Sequence, residues 1–146
     1  MNNAVFFFGI ALLAFISGLF WLGPGRDAYP QAVRVGSQTF TLEVASTVNE
    51  RRQGLGGRAH LCDSCAMLFV FEATDTHAFW MKDMRFPLDI AWLSGDTVVW
   101  IERRIQPHSL ATYRPETPSD RVLEFNAGAI DGVQRGDRVQ FVLPKE

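Results

Sequence analysis

Met67-Leu68-Phe69-Val70-Phe71 is an unbroken apolar run of strand length. Such a run is expected of a central strand covered on both faces, because an alternating pattern would leave one face for water. The segments on either side also have strand character. Upstream, Ala32 to Ser46 alternates: Val33 and Val35, a Gly36-Ser37 turn, then Phe40, Leu42 and Val44 set against Thr39, Thr41 and Glu43. That pattern predicts a β-hairpin with one buried face. Between hairpin and central strand, Thr47-Val48-Asn49-Glu50 matches a capping box, in which the Thr hydroxyl and the Glu carboxylate each satisfy a backbone amide at a helix start. A short helix to about Gln53 follows, ended by Gly54 and the Gly56-Gly57 pair.

Downstream, His77 to Met81 is a further strand candidate, and Asp89 to Leu93 pairs with Thr97 to Ile105 across the Ser94-Gly95-Asp96 turn. Gln106 to Asp120 carries three prolines and no periodicity and is expected to be a long surface loop. Arg121 to Asn126 reads as a strand, Ala127 to Val133 as one or two helical turns, and Arg138 to Leu143 as the last strand after a Gly136-Asp137 turn. The expectation is a mainly β domain, a compact barrel or sandwich of about seven to eight short strands with two short helices.

A chain of 146 residues has room for one such domain. The apolar fraction of 47% and charged fraction of 21% are those of a globular protein, which argues against wholesale disorder and against a multi-span membrane protein. The formal charge of -2, with no basic stretch longer than Arg-Arg, argues against a nucleic-acid partner, which would call for a basic face.

The first 25 residues contain no charged side chain, and Ala4 to Leu22 reads AVFFFGIALLAFISGLFWL, an apolar run of 19. About twenty apolar residues in a helix cross a bilayer core of roughly 30 Å. The run is longer than the apolar region of a secretory signal, which is about 7–15 residues, and lacks a basic lead. Residues 1–25 are therefore expected to be an anchor or signal segment, uncleaved by preference, with 26–31 as linker and 32–146 as the domain, held outside the cytoplasm at a membrane. Secretion after signal cleavage is the alternative.

Several residues stand out as chemistry. Phe79-Trp80-Met81-Lys82 on a strand would bury Phe79 and Met81 and turn Trp80 and Lys82 outward, a shallow site where Trp80 stacks a flat or sugar-like group and Lys82 supplies charge. Phe79 and Met81 simply filling the core beside an edge-shielding Trp80 is the plainer alternative. Lys82 is one of only two lysines. Asp89 and Glu124 lie in strongly apolar strands, and buried carboxylates are rare unless partnered. Lys82, Arg51 and Arg58 are the candidate partners, in a structural ion-pair network or, with the two carboxylates converging, in general acid–base chemistry of a small hydrolase or lyase. Cys62 and Cys65, the only cysteines, read first as one disulfide in an exported domain. A zinc half-site with His60 and His77, a redox-active pair and two free thiols are the alternatives.

The blocks just read, Glu50 to Leu55 (ERRQGL), Arg58 with Leu61, Met67 to Phe71, Phe79 to Lys82 (FWMK), Pro87 to Ile90 (PLDI), Leu123 to Gly128 (LEFNAG) and Gly136-Asp137, occur in the order seen in the family called domain of unknown function 192. The chain resembles that family over nearly all of its length from Ala32 onward. The resemblance implies a compact, β-rich, often exported domain and no agreed reaction. The function expected is a non-enzymatic binding or interaction module, without a cofactor or metal, built around Trp80, Lys82, Asp89, Glu124, Arg51 and Arg58. The rivals are the hydrolase or lyase and a metal or thiol site at Cys62 and Cys65.

Overall fold

The computed structural model describes residues 29–144, so the apolar segment 4–22 lies outside the described residues. Among the described residues no helix is long and apolar enough to cross a membrane. The described residues form nine strands and one α-helix in the order β1 (Ala32–Val35), β2 (Gln38–Ala45), α1 (Val48–Gln53), β3 (Cys65–Asp75), β4 (Phe79–Trp80), β5 (Leu88–Ser94), β6 (Thr97–Ile105), β7 (Thr112–Tyr113), β8 (Ser119–Asn126) and β9 (Gln140–Val142). Seven of them form a single sheet ordered β6-β5-β8-β3-β2-β1-β9, while β4 and β7 make a separate two-stranded ribbon.

The apolar run at Met67 lies near the middle of the sheet, where β3 pairs parallel with β2 and antiparallel with β8. Its side chains divide by parity, as the pleat requires. Ala66 and Leu68 enter one core with Val33, Phe40, Leu93, Leu123 and Phe125, whereas Met67 and Phe69 enter a second with Leu55, Phe79, Met81, Met84, Ile90 and Trp92. Two cores, one on each face, explain why the first half of β3 and most of β5 carry apolar residues at consecutive positions. The sheet curls into a half-barrel rather than pairing with a second sheet, and its edges meet at one corner. There Thr97 bridges to Arg138, and the Val98 N–H donates to the Asp137 carbonyl at 2.8 Å.

Helix α1 starts with the expected box: the Thr47 hydroxyl accepts from the Glu50 N–H at 3.2 Å, and the Glu50 carboxylate accepts from the Thr47 N–H at 2.9 Å. Gly54 ends it at φ 47°, and its N–H donates to the Glu50 carbonyl. The second expected helix does not form. Residues 127–132 make successive turns, because Gly128 takes φ 88° and its N–H is drawn to the Asp89 carboxylate. Two further expectations need correcting together. The strand expected over His77 to Met81 shortens to Phe79–Trp80, and the proline-rich stretch expected to be irregular supplies its partner, with Phe79 opposite Tyr113 and Trp80 opposite Thr112.

Candidate functional site

The β5–β8 register decides what the two strand carboxylates can do. Ile90 pairs with Glu124 and Asp89 with Phe125, so Glu124 points into the Met67–Phe69–Ile90 face and Asp89 into the face of Ala91 and Leu93. The two acids are therefore on opposite sides of the sheet, and the structure does not bring them together.

Asp89 is fully buried. One of its oxygens accepts from the Arg104 N–H and the other from the Gly128 N–H, both at 2.8 Å. Arg104 has φ 51° and sits where the β5–β6 register shifts between Leu88 and Ile90. Asp89 thus caps a bulge and a turn, and its partners are backbone amides rather than Lys82, Arg51 or Arg58. Arg58 instead forms a two-pronged pair with Glu43, both bonds 2.8 Å, on the surface. The Glu43 hydrogen bond holds the Arg58 guanidinium above its ordinary value.

Glu124 is 5% exposed, its side chain borders a cleft, and among the described residues nothing hydrogen-bonds or ion-pairs with its carboxyl. Burial alone pushes it up to about 8 from an ordinary 4.5. It lines the floor of a cleft of about 240 Å³ together with Phe69. One lip is the end of α1 and the loop after it, Arg51 to Gly56, and the other is the turn carrying Trp80, Lys82, Asp83 and Met84. The Gly57 N–H ties the lips by donating to the Asp83 carbonyl at 2.8 Å. At Gly54 an added Cβ would come within 3.3 Å of the Phe69 ring, so glycine there sets how closely the loop approaches the floor.

Phe79 and Met81 are buried while Trp80 is 60% exposed and Lys82 points to solvent, the alternation expected of a strand. The Lys82 ammonium lies 5.5 Å from the Trp80 ring centroid. It has no carboxylate partner among the described residues, so the expected lysine–carboxylate pair does not form. Arg51 reaches the cleft wall, but its guanidinium donates to the carbonyls of Ser46 and Val70 and lies over Phe71 at 5.1 Å, which clamps α1 to β3. Beyond the Trp80–Lys82 ridge a wider hollow of about 640 Å³ runs along residues 107–111, where Leu110 is fully exposed.

Of the six candidate binding residues, then, Trp80, Lys82, Glu124 and Arg51 border one cleft, while Asp89 and Arg58 belong to other parts of the fold. Arg52 and Asp83 are not among the candidate site residues of the sequence, where Gly54 and Gly56 read only as helix terminators. Arg52 adjoins Arg51 in the capped helix, the only sequence signal for it. The folding of the 79–84 turn over the end of α1 is a long-range contact with no local signature. Cys62 and Cys65 are joined in a disulfide with Cα atoms 5.1 Å apart. The Asn126 amide donates to the Leu61 and Cys62 carbonyls at 3.0 and 3.1 Å, pinning that turn to β8. His77, remote from the pair in sequence, stacks on Phe71 at 3.5 Å, and its ring meets the Ala73 carbonyl. Among the described residues no group of three or more His, Cys, Asp or Glu is placed to hold a metal ion.

A curled, mainly β domain with a small mixed-polarity cleft on one face is the class that fold and site define. The chain belongs to the DUF192 family, described as an uncharacterized ACR, whose model matches residues 31–141. Two solved structures are similar to it. One, from Sinorhizobium meliloti 1021 and described as a "putative transcription regulator", is 33% identical with a TM-score of 0.70 and covers 75% of this chain and 90% of its own. The other, a protein of unknown function from Novosphingobium aromaticivorans DSM 12444, is 32% identical with a TM-score of 0.70 and covers 77% of this chain and 84% of its own. No curated protein matches the chain.

Proposed function

We propose that the chain is a small-ligand-binding module rather than an enzyme, and that its site is the Glu124 cleft. The observation carrying this reading is a residue only 5% exposed whose carboxyl, unpartnered among the described residues, lies at the floor of a concavity rimmed by Trp80 and Lys82. An unpaired buried polar group costs stability, and opening it toward a cleft fits a ligand that supplies the missing partner. Trp80 offers a flat apolar face on which a ring or sugar-like group stacks, and Lys82 an exposed charge beside it. The net charge of -2 favours a small molecule over nucleic acid, despite the regulator description attached to the Sinorhizobium relative.

The module is tethered to a membrane by residues 4–22, with residues 26–31 as linker and the domain outside the cytoplasm. Full-length protein should remain in the membrane fraction through high-salt washing and keep its own N-terminus. A soluble mature form beginning near Ala28 would show that the segment is a cleaved signal.

Lys82→Met and Trp80→Ala test the site. Both side chains are exposed, so each variant should melt within about 2 °C of the parent, in line with the small stability effects of surface substitutions. Ligand-induced stabilisation across a small-molecule screen should be reduced in both. A screen in which parent and variants respond alike would remove the cleft from consideration.

A further inference from the structure

We propose that the cleft selects a small carboxylate-bearing ligand, with Glu124 donating a hydrogen bond to a ligand carboxylate oxygen and the cations of the rim supplying the countercharge. This rests on the cleft being a ligand site. The geometry alone narrows the chemistry. Met67 and Ile90 flank Glu124 across β8, and Phe69 shares the floor with it, so from the strands only apolar groups meet the carboxyl. Every charged group bordering the cleft is on its lips: Arg51 and Arg52 from α1, and Lys82 and Asp83 from the turn. Arg51 is committed to two main-chain carbonyls and the Phe71 face. Lys82 and Arg52 make no ion pair among the described residues. The mouth thus carries two available cations against one anion, an excess that attracts a negatively charged ligand.

An ionised Glu124 would oppose that ligand, but among the described residues the carboxyl has neither a hydrogen bond nor a cation to stabilise its charge. Burial raises its pKa to about 8, so the protonated form predominates at pH 6.5. A protonated carboxyl has one O–H to donate, and in an apolar floor its best acceptor is an anionic oxygen. A neutral acid held in an apolar pocket as a hydrogen-bond donor is a known catalytic and binding device. The volume of about 240 Å³ lies below the usual range for drug-sized ligands, so a ligand of monosaccharide size or smaller fits.

The test uses ¹⁵N-labelled full chain in detergent micelles and two matched probe sets: benzoate, benzamide and benzylamine, and D-glucuronate, D-glucose and D-glucosamine. Chemical-shift changes at the Trp80 indole and the Glu124 amide read out binding. The carboxylate of at least one set should bind about tenfold or more tighter than its neutral and cationic counterparts at pH 6.5. Its affinity should fall about tenfold between pH 6.5 and 9, as Glu124 ionises. Glu124→Gln, neutral at every pH and still a donor, should bind the carboxylate equally at both pH values, while Glu124→Leu should lose it. Because the Gln variant keeps every other titratable group, a fall of equal size in Gln variant and parent would overturn the role of Glu124. Preference for the amine, strengthening with pH, would overturn the ligand class while leaving the cleft as a site. No response to any probe in either set would count against the cleft as a small-ligand site.

Discussion

Asp89 and Glu124 show how differently a sheet treats two acids in adjacent strands. Asp89 is stabilised by two backbone amides, so Asp89→Ala should cost about 2–4 kcal/mol in urea unfolding, because two buried N–H groups lose their acceptor. A loss below about 0.5 kcal/mol would mean that those amides find other partners. Glu124 has no such support, and its proton links it to pH. Between its ordinary 4.5 and about 8, the unfolded chain has lost the proton that the folded chain retains, so stability falls as pH rises through this window and levels off above it. The slope from this one group is roughly 1 kcal/mol per pH unit. Glu124→Gln should therefore match the parent near pH 5 and exceed it by roughly 2–4 kcal/mol at pH 8.5. Parallel stability–pH curves would contradict the assignment. Both acids are conspicuous in the sequence as charges in apolar strands. Their separation onto opposite faces depends on the pairing of Ile90 with Glu124, a register that no local pattern specifies.

At the scale of elements, local signals were legible where the chemistry is local. The capping box, the Gly36-Ser37 hairpin and the β5–β6 hairpin follow from residues within a few positions of one another. The β4–β7 ribbon was not legible, since it joins Trp80 to Thr112 across more than thirty residues, and prolines mask the strand character of Thr112–Tyr113. Nor were the turns after β8, where a helix-compatible sequence yields to the Gly128 conformation and the pull of Asp89. The disulfide turn belongs to this scale. It closes a short loop already tied to β8 by Asn126, so replacing Cys62 and Cys65 with Ser should cost no more than about 2 kcal/mol in denaturant melts. A greater loss would show that the crosslink supports the sheet beyond its own turn.

In the whole molecule, the curled sheet divides the interior into two cores and leaves the cleft at the margin of one of them. There α1 and the β4 turn close incompletely over the floor of β3 and β8. At the margin of the opposite core, β6 is bridged to the segment before β9, with the Arg138 guanidinium 2.7 Å from Asp96 and holding that carboxyl below its ordinary range. Where each core opens follows from which loops cross which face, and only the assembled fold contains that information. The central claim is that the gap is a site organised around a neutral buried acid. Its most direct test is a ¹³C titration of the Glu124 side-chain carboxyl in the intact protein, assigned by comparison with Glu124→Gln. The account predicts a midpoint of about 8. A midpoint near 4.5, the ordinary value, would contradict it.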